Sequence, residues 1–181
     1  PIHGHTGIEI AWTAIPTILV TVIAVVSAVA LAENGKLNEN RVVIEVTARQ
    51  FAWTFAYPSD AQAVAAAKDE QICKLPPETA NCPVSGTLRL PEGRQVELRL
   101  RALDVIHSFW VPEFRQKQDA VPGIVTHVAV TPTQPGEHTV VCTELCGLGH
   151  AFMRAGVIVM REGEFDRWRS QQERKLQGDQ G

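Results

Sequence analysis

From Ile10 to Ala32 the chain runs twenty-three residues without a charged side chain. Its apolar residues fall on every face of a helix, which excludes the half-buried helix of a soluble domain. At 1.5 Å per residue a helix of this length covers roughly 34 Å, enough for a hydrocarbon core of about 30 Å. A signal peptide is the competing reading, but the run is longer than a typical apolar signal core and no basic stretch precedes it. The sequence therefore predicts one transmembrane helix at approximately 9–32, within a membrane segment 1–40. Pro16 is expected in its first turns, where a missing N–H matters least, and Trp12 at one interface. Glu33-Asn34-Gly35 is the expected stop, with Gly35 free to take a left-handed cap. Charge marks the orientation poorly, since no Lys or Arg precedes the run while Lys36 and Arg41 follow it.

Beyond Arg41 the period changes from helical to two. Val42, Ile44, Val46 and Ala48 alternate with polar partners, and the phase then slips so that Phe51, Trp53, Phe55 and Tyr57 take over. One extra residue near Arg49-Gln50 predicts a bulge or a break between two strands. Read as one strand, Phe51 and Trp53 share a face. Further strand signals lie at 87–90, 96–100, before His107, at 124–130, 139–142 and 157–159, separated by Pro- and Gly-bearing turns. Seven or more short strands with regular turns indicate an all-β sandwich with Greek-key links over 41–162. Residues 61–85 form a polar insertion, and 163–181 a short helix and tail. Cys73 and Cys82 lie inside the insertion and form a disulfide if the domain faces an oxidising compartment.

The chemistry concentrates in Cys142-Thr-Glu144-Leu-Cys146-Gly-Leu-Gly-His150-Ala-Phe-Met153, with His107 upstream in Asp104-Val-Ile-His107-Ser-Phe-Trp110. Sulfur and imidazole select copper, zinc or iron over magnesium or calcium. The β-branched run before Cys142 and the glycines after Cys146 indicate a strand entering a tight loop. A Cys142–Cys146 disulfide and half of a structural zinc site compete with this reading, but zinc makes no use of Met153. A single blue-copper ion needs one thiolate, not two. Two coppers bridged by the two sulfurs fit the set.

The pattern Cys142-x-Glu144-x-Cys146-x-x-x-His150-x-x-Met153, with His107 in His-Ser-Phe-Trp-Val-Pro, resembles subunit II of the haem–copper cytochrome c oxidases. The likeness runs from Glu9-Ile-Ala-Trp12 through Lys117-Gln-Asp119-Ala-Val-Pro-Gly123 to the last strand. The resemblance implies a cupredoxin-like sandwich preceded by a transmembrane helix, and the dinuclear copper A centre. It implies that Cys142 and Cys146 bridge two copper ions, that His107 and His150 bind one each, that Met153 is the weak ligand, and that Glu144 ligates through its carbonyl. It also implies a magnesium ion, shared with subunit I, at the Glu144 carboxylate. Glu9 matches a glutamate at the mouth of a proton-uptake path in subunit I. The family's Gln-Trp-x-Trp pattern, at which electrons enter from the donor, reads Gln50-Phe51-Ala52-Trp53 here, giving Phe51 and Trp53 that role. Lys117 and Asp119 correspond to a stretch that docks on subunit I. Ile124 stands where relatives often have Arg.

What the resemblance implies for function is an electron relay within a membrane-bound cytochrome c oxidase, an oxidoreductase and translocase of the respiratory chain. Cytochrome c is the donor, and haem in subunit I is the acceptor for oxygen reduction coupled to proton pumping. Other oxidase subunits and membrane lipid are the remaining partners. The implied location is an energy-transducing membrane of the bacterial plasma-membrane kind, with the copper domain on its outer face. The chain lacks the Cys-x-x-Cys-His of haem attachment, so no haem is expected in it. A net charge of −3 and a pI near 6.1 give no basic field for nucleic acid. With the donor steered by charge, Asp60, Asp69, Glu70 and Glu78 are the candidate acids. A membrane-anchored copper carrier remains the alternative. Nitrous oxide reductase shares the motif but needs a second large copper domain, and quinol oxidase subunits lack the two thiols.

Overall fold

The uncharged run and its flanks form one helix, α1 (Thr6–Asn34), in which no residue is buried. The structure, a computed structural model, describes residues 3–59, 64, 67, 70–74 and 81–178. Among these, α1 is the one helix long and apolar enough to cross a membrane. Three threonines are tolerated in it because each hydroxyl donates to the carbonyl four residues earlier: Thr13 to Glu9, Thr17 to Thr13 and Thr21 to Thr17, at 2.7–2.9 Å. None of these three hydroxyls is then left to seek water in hydrocarbon. The helix begins at Thr6, so Pro16 lies inside it rather than in its first turns. Gly35 departs from expectation too: its φ of −77° is right-handed, and its N–H continues the helical ladder to the Leu31 carbonyl. The helix ends here without the reversal that requires a left-handed residue.

Residues 37–181 make a second unit, starting four residues before the expected boundary at 41. Asn38 N–H donates to the Gln95 side chain at 2.6 Å and so joins this unit. Ten strands are described: β1 (Val42–Arg49), β2 (Ala52–Ala56), β3 (Val84–Ser85), β4 (Leu88–Pro91), β5 (Val96–Ala102), β6 (His107–Val111), β7 (Gln116–Ala120), β8 (Thr126–Val130), β9 (Gly136–Cys142) and β10 (Arg154–Met160). They form two five-stranded sheets, ordered β3-β2-β1-β5-β8 and β4-β10-β9-β6-β7. Most neighbours are antiparallel, but β1 with β5 and β4 with β10 are parallel. Ile44, Val46, Leu98 and Leu100 of the first sheet and Leu88, Leu90, Val140 and Val157 of the second meet in the core, all fully buried.

The phase slip at Arg49-Gln50 is a break. Arg49 pairs with Ala52, so Gln50-Phe51 is the two-residue turn of an antiparallel hairpin. Phe51 and Trp53 therefore do not share a strand: Phe51 is in the turn and 39% exposed, while Trp53 is in β2 and 3% exposed. The C-terminal helix packs on the sandwich. Helix α2 (Glu162–Gly178) buries Phe165 completely in the sandwich core, and Trp168 meets Tyr57 edge to face at 4.8 Å. Burial of a phenylalanine of this kind contributes about 2–3 kcal/mol.

Alternation along β1 also fails in an informative way, for Val43, Glu45 and Thr47 are as buried as their apolar neighbours. The described parts of the insertion cover that face. The Glu45 carboxylate accepts the backbone N–H groups of Ile72 (2.7 Å) and Cys73 (3.1 Å). Arg99, in β5, donates to the carbonyls of Val64 and Ala67 and pairs with buried Glu97. Cys73 is joined to Cys82 by a disulfide.

Candidate metal centre

The sheet ladder brings the first two candidate ligands together. His107 opens β6 and Cys142 closes β9, and the two strands pair through Phe109 and Cys142. Beyond Cys142 the chain leaves the sheet in a loop. Thr143 N–H is tied to the Ser108 carbonyl, and a single 3-10 turn at His150–Phe152 returns it to β10. Gly147, with a φ of 132°, makes a turn open to few other residues.

Six potential donor atoms converge here. The Cys142 and Cys146 sulfurs stand 3.8 Å apart. His107 Nδ1 lies 3.8 Å from Cys142 Sγ, and His150 Nδ1 lies 3.6 Å from Cys146 Sγ. The Met153 sulfur is 3.8 Å from that of Cys146, and the Glu144 carbonyl is 3.2 Å from that of Cys142. His107, Cys142, Cys146 and Met153 are buried, whereas His150 is half-buried and Glu144 exposed. The sulfurs are too far apart for a disulfide, which needs about 2.05 Å. Burial first, and then the neighbouring Cys142 thiol, push the Cys146 thiol up to about 11. A soft cation that replaces its proton relieves that cost. Two thiols flanked by one imidazole each, with a thioether and a carbonyl, suit two coppers and leave too many donors for one tetrahedral zinc.

Two residues without an assigned role in the motif hold this arrangement. Asp104 Oδ1 accepts from His107 Nε2 at 2.8 Å, which turns Nδ1 toward the sulfurs. Burial works against the ionised Asp104, but hydrogen bonds from the Gln50 amide, His107 and the Val105 amide outweigh it and hold the carboxyl below its ordinary range. The spacing of Asp104 three residues before a candidate histidine was a usable signal. Gln50 was visible only as the first residue of Gln50-Phe51-Ala52-Trp53, because the Cys146 carbonyl that its side chain reaches lies 96 residues away.

Trp53 is 3% exposed and packs edge-on against His107 with ring centres 6.2 Å apart. The Phe51 ring lies over the ligand loop, so close that a Cβ at Gly149 would come within 2.4 Å of it. Leu145, Leu148 and Phe152 of the same loop are 79–103% exposed. Of the candidate acids, Glu70 is exposed, and Asp60, Asp69 and Glu78 lie outside the described residues. Asp119 accepts from buried Ser108 Oγ at 2.6 Å, and Lys117 pairs across the strands with Trp110. Glu9 is in the first turn of α1. Cys73 and Cys82 belong to a separate buried cluster with Ala56.

Known proteins match this chain along most of its length. The family model for the periplasmic domain of cytochrome c oxidase subunit II matches residues 42–161. Subunit 2 of the Thermostichus vulcanus oxidase is 44% identical over 72% of this chain and 33% of its own. Its counterpart in Alkalihalophilus pseudofirmus is 35% identical over 92% of this chain and 45% of its own, so the chain spans less than half of either relative. The crystal structure of the periplasmic domain of subunit II (CoxB) from Bradyrhizobium japonicum superposes with a TM-score of 0.57 and 29% identity, covering 74% of this chain and 94% of that one. The family model covers more than half of the chain, and the chain belongs to the cytochrome c oxidase subunit II family.

Proposed function

We propose that the chain is the electron-accepting subunit of a membrane-bound cytochrome c oxidase, holding two copper ions at Cys142, Cys146, His107, His150, Met153 and the Glu144 carbonyl. The observation that carries this reading is the convergence of those six donors at one end of the sandwich. A copper pair bound there supplies one-electron storage shared over both metals. The chain's own residues keep its surroundings fixed. Asp104 holds His107 in one tautomer and orientation, the β6–β9 ladder fixes His107 against Cys142, and the Cys142 N–H bond to the Met153 carbonyl closes the loop. A stiff shell of this kind needs little rearrangement when an electron arrives or leaves.

Cytochrome c supplies the electron, and haem in the partner subunit I receives it for oxygen reduction and proton pumping. Phe51 offers the donor an apolar contact over the ligand loop, and the acids Asp60, Asp69, Glu70 and Glu78 steer its approach. The exposed Glu144 carboxylate reaches a magnesium ion shared with subunit I, Glu9 serves the mouth of a proton path, and α1 anchors the domain in the plasma membrane with the copper site outside. Copper reconstitution of the full chain in detergent tests the core of this reading. Two coppers per chain with a mixed-valence paramagnetic spectrum support it, and one zinc with no copper in the isolated protein overturns it. Phe51→Ala should slow reduction by cytochrome c at matched ionic strength with the copper spectrum unchanged. Equal rates would place the contact elsewhere.

A further inference from the structure

His107 and Cys142 are fixed by the ladder of the second sheet, whereas Cys146 and His150 lie beyond its last pair, in a loop that contains two glycines. Something must set the distance between that loop and the His107 side. The hairpin turn of the opposite sheet reaches both. Gln50 N–H donates to Asp104 Oδ2 at 2.7 Å, and Asp104 Oδ1 accepts from His107. Gln50 Nε2 donates to the Cys146 carbonyl. The following residue, Phe51, closes on the same loop by contact with Gly147 and Gly149.

We infer that Gln50 is a positioning residue of the metal centre, linking Asp104, which holds His107, to the ligand loop and setting the place of Cys146 relative to His107. The inference rests on the reading of the site as a copper pair. The backbone link to Asp104 survives any side-chain change, so the side chain controls the Cys146 half alone. One hydrogen bond contributes little to overall stability. Outer partners of metal ligands have a larger effect on the metal, typically 10- to 100-fold in affinity or activity. Gln50 therefore acts on the centre out of proportion to its effect on the fold.

Gln50→Met keeps the length of the side chain and removes its donor. In the copper-loaded full chain in detergent, the substitution should speed copper loss to a chelator about 10-fold or more. It should also alter the visible and paramagnetic spectra and displace the midpoint potential, with thermal unfolding nearly unchanged. In the metal-free full chain, backbone amides of residues 146–150 should exchange faster and Cys146 should react faster with a thiol reagent. Gln50→Asn, which keeps the amide on a stem one methylene shorter, should move every readout in the same direction and serves if the Met variant does not fold. Release, spectra and exchange equal to the parent's would overturn the inference. A parent that binds no copper pair would sink the copper reading instead, and the exchange and thiol measurements would still decide whether Gln50 holds the loop.

Discussion

The two cysteine pairs are almost equally buried and end in opposite states. Cys73 and Cys82, 0% and 3% exposed, are bonded, while Cys142 and Cys146, 7% and 3% exposed, stand 3.8 Å apart. Burial therefore does not decide whether two neighbouring thiols join. The first pair sits among Ala56 and Val84, with backbone amides tied down by Glu45 and a single side-chain oxygen, Asn81 Oδ1, 3.8 Å from Cys82 Sγ among the described residues. The second is surrounded by two imidazoles, a thioether and a carbonyl, and its backbone is held from the opposite sheet by Gln50. One environment favours a covalent closure and the other a metal.

The sharpest way to break the comparison is to exchange one sulfur in each pair. Cys146→Ser should abolish the paired copper spectrum outright, whereas Cys82→Ser should leave it intact in paramagnetic resonance. Loss of copper in the Cys82 variant would show that the pairs are coupled. Next in size, the Cys73→Ser/Cys82→Ser protein should lose roughly 2–3 kcal/mol in denaturant unfolding, the value expected for a short closed loop. Glu45→Ala leaves the Ile72 and Cys73 amides unpaired in a buried setting and should cost about 2 kcal/mol. Faster exchange confined to residues 70–74, with copper retained, is the expected readout.

The smallest effect concerns acid. Burial raises the Glu97 carboxyl, but hydrogen bonds from Arg41, His127 and Arg99, with the Arg99 charge, outweigh it and hold it below 4.5. A depressed carboxyl stabilises fully above 4.5 and loses that contribution as pH falls through its folded-state value. Glu97→Gln should therefore flatten the acid side of the stability–pH curve, as followed by denaturant midpoints. A variant as acid-sensitive as the parent would remove Glu97 from the covering of the first sheet.

Periodicity and local spacing made much of this legible. The sandwich, α1 and the cluster at 142–153 are visible because they depend on residues close together in sequence. Arg49-Gln50 was recognisable as a break, but its being a hairpin turn depends on how Arg49 pairs with Ala52, and that placed Phe51 and Trp53 in different environments. The buried outer face of β1 was hidden because Glu45 and Thr47 are polar, and polarity signals exposure until a partner such as the Ile72 amide is known. Gln50 was hidden for a similar reason, its contact being set by the approach of two sheets.

The parallel pairing of β1 with β5 has a consequence for the order of assembly. Val42 meets Val96 only after the whole insertion has been made, and β4 waits for β10, which begins at Arg154. Contacts of such span are slow because loop closure must come first. Cys73 meets Cys82 across a separation of nine residues, whereas His107 meets Cys142 across 35. Shorter loops close at lower entropic cost, so Cys73 and Cys82 can be brought together before the strands carrying Cys142 and Cys146 are in place. Oxidation of that pair at this stage by an external disulfide-exchange partner would leave Cys142 and Cys146 as the two remaining thiols to meet the metal.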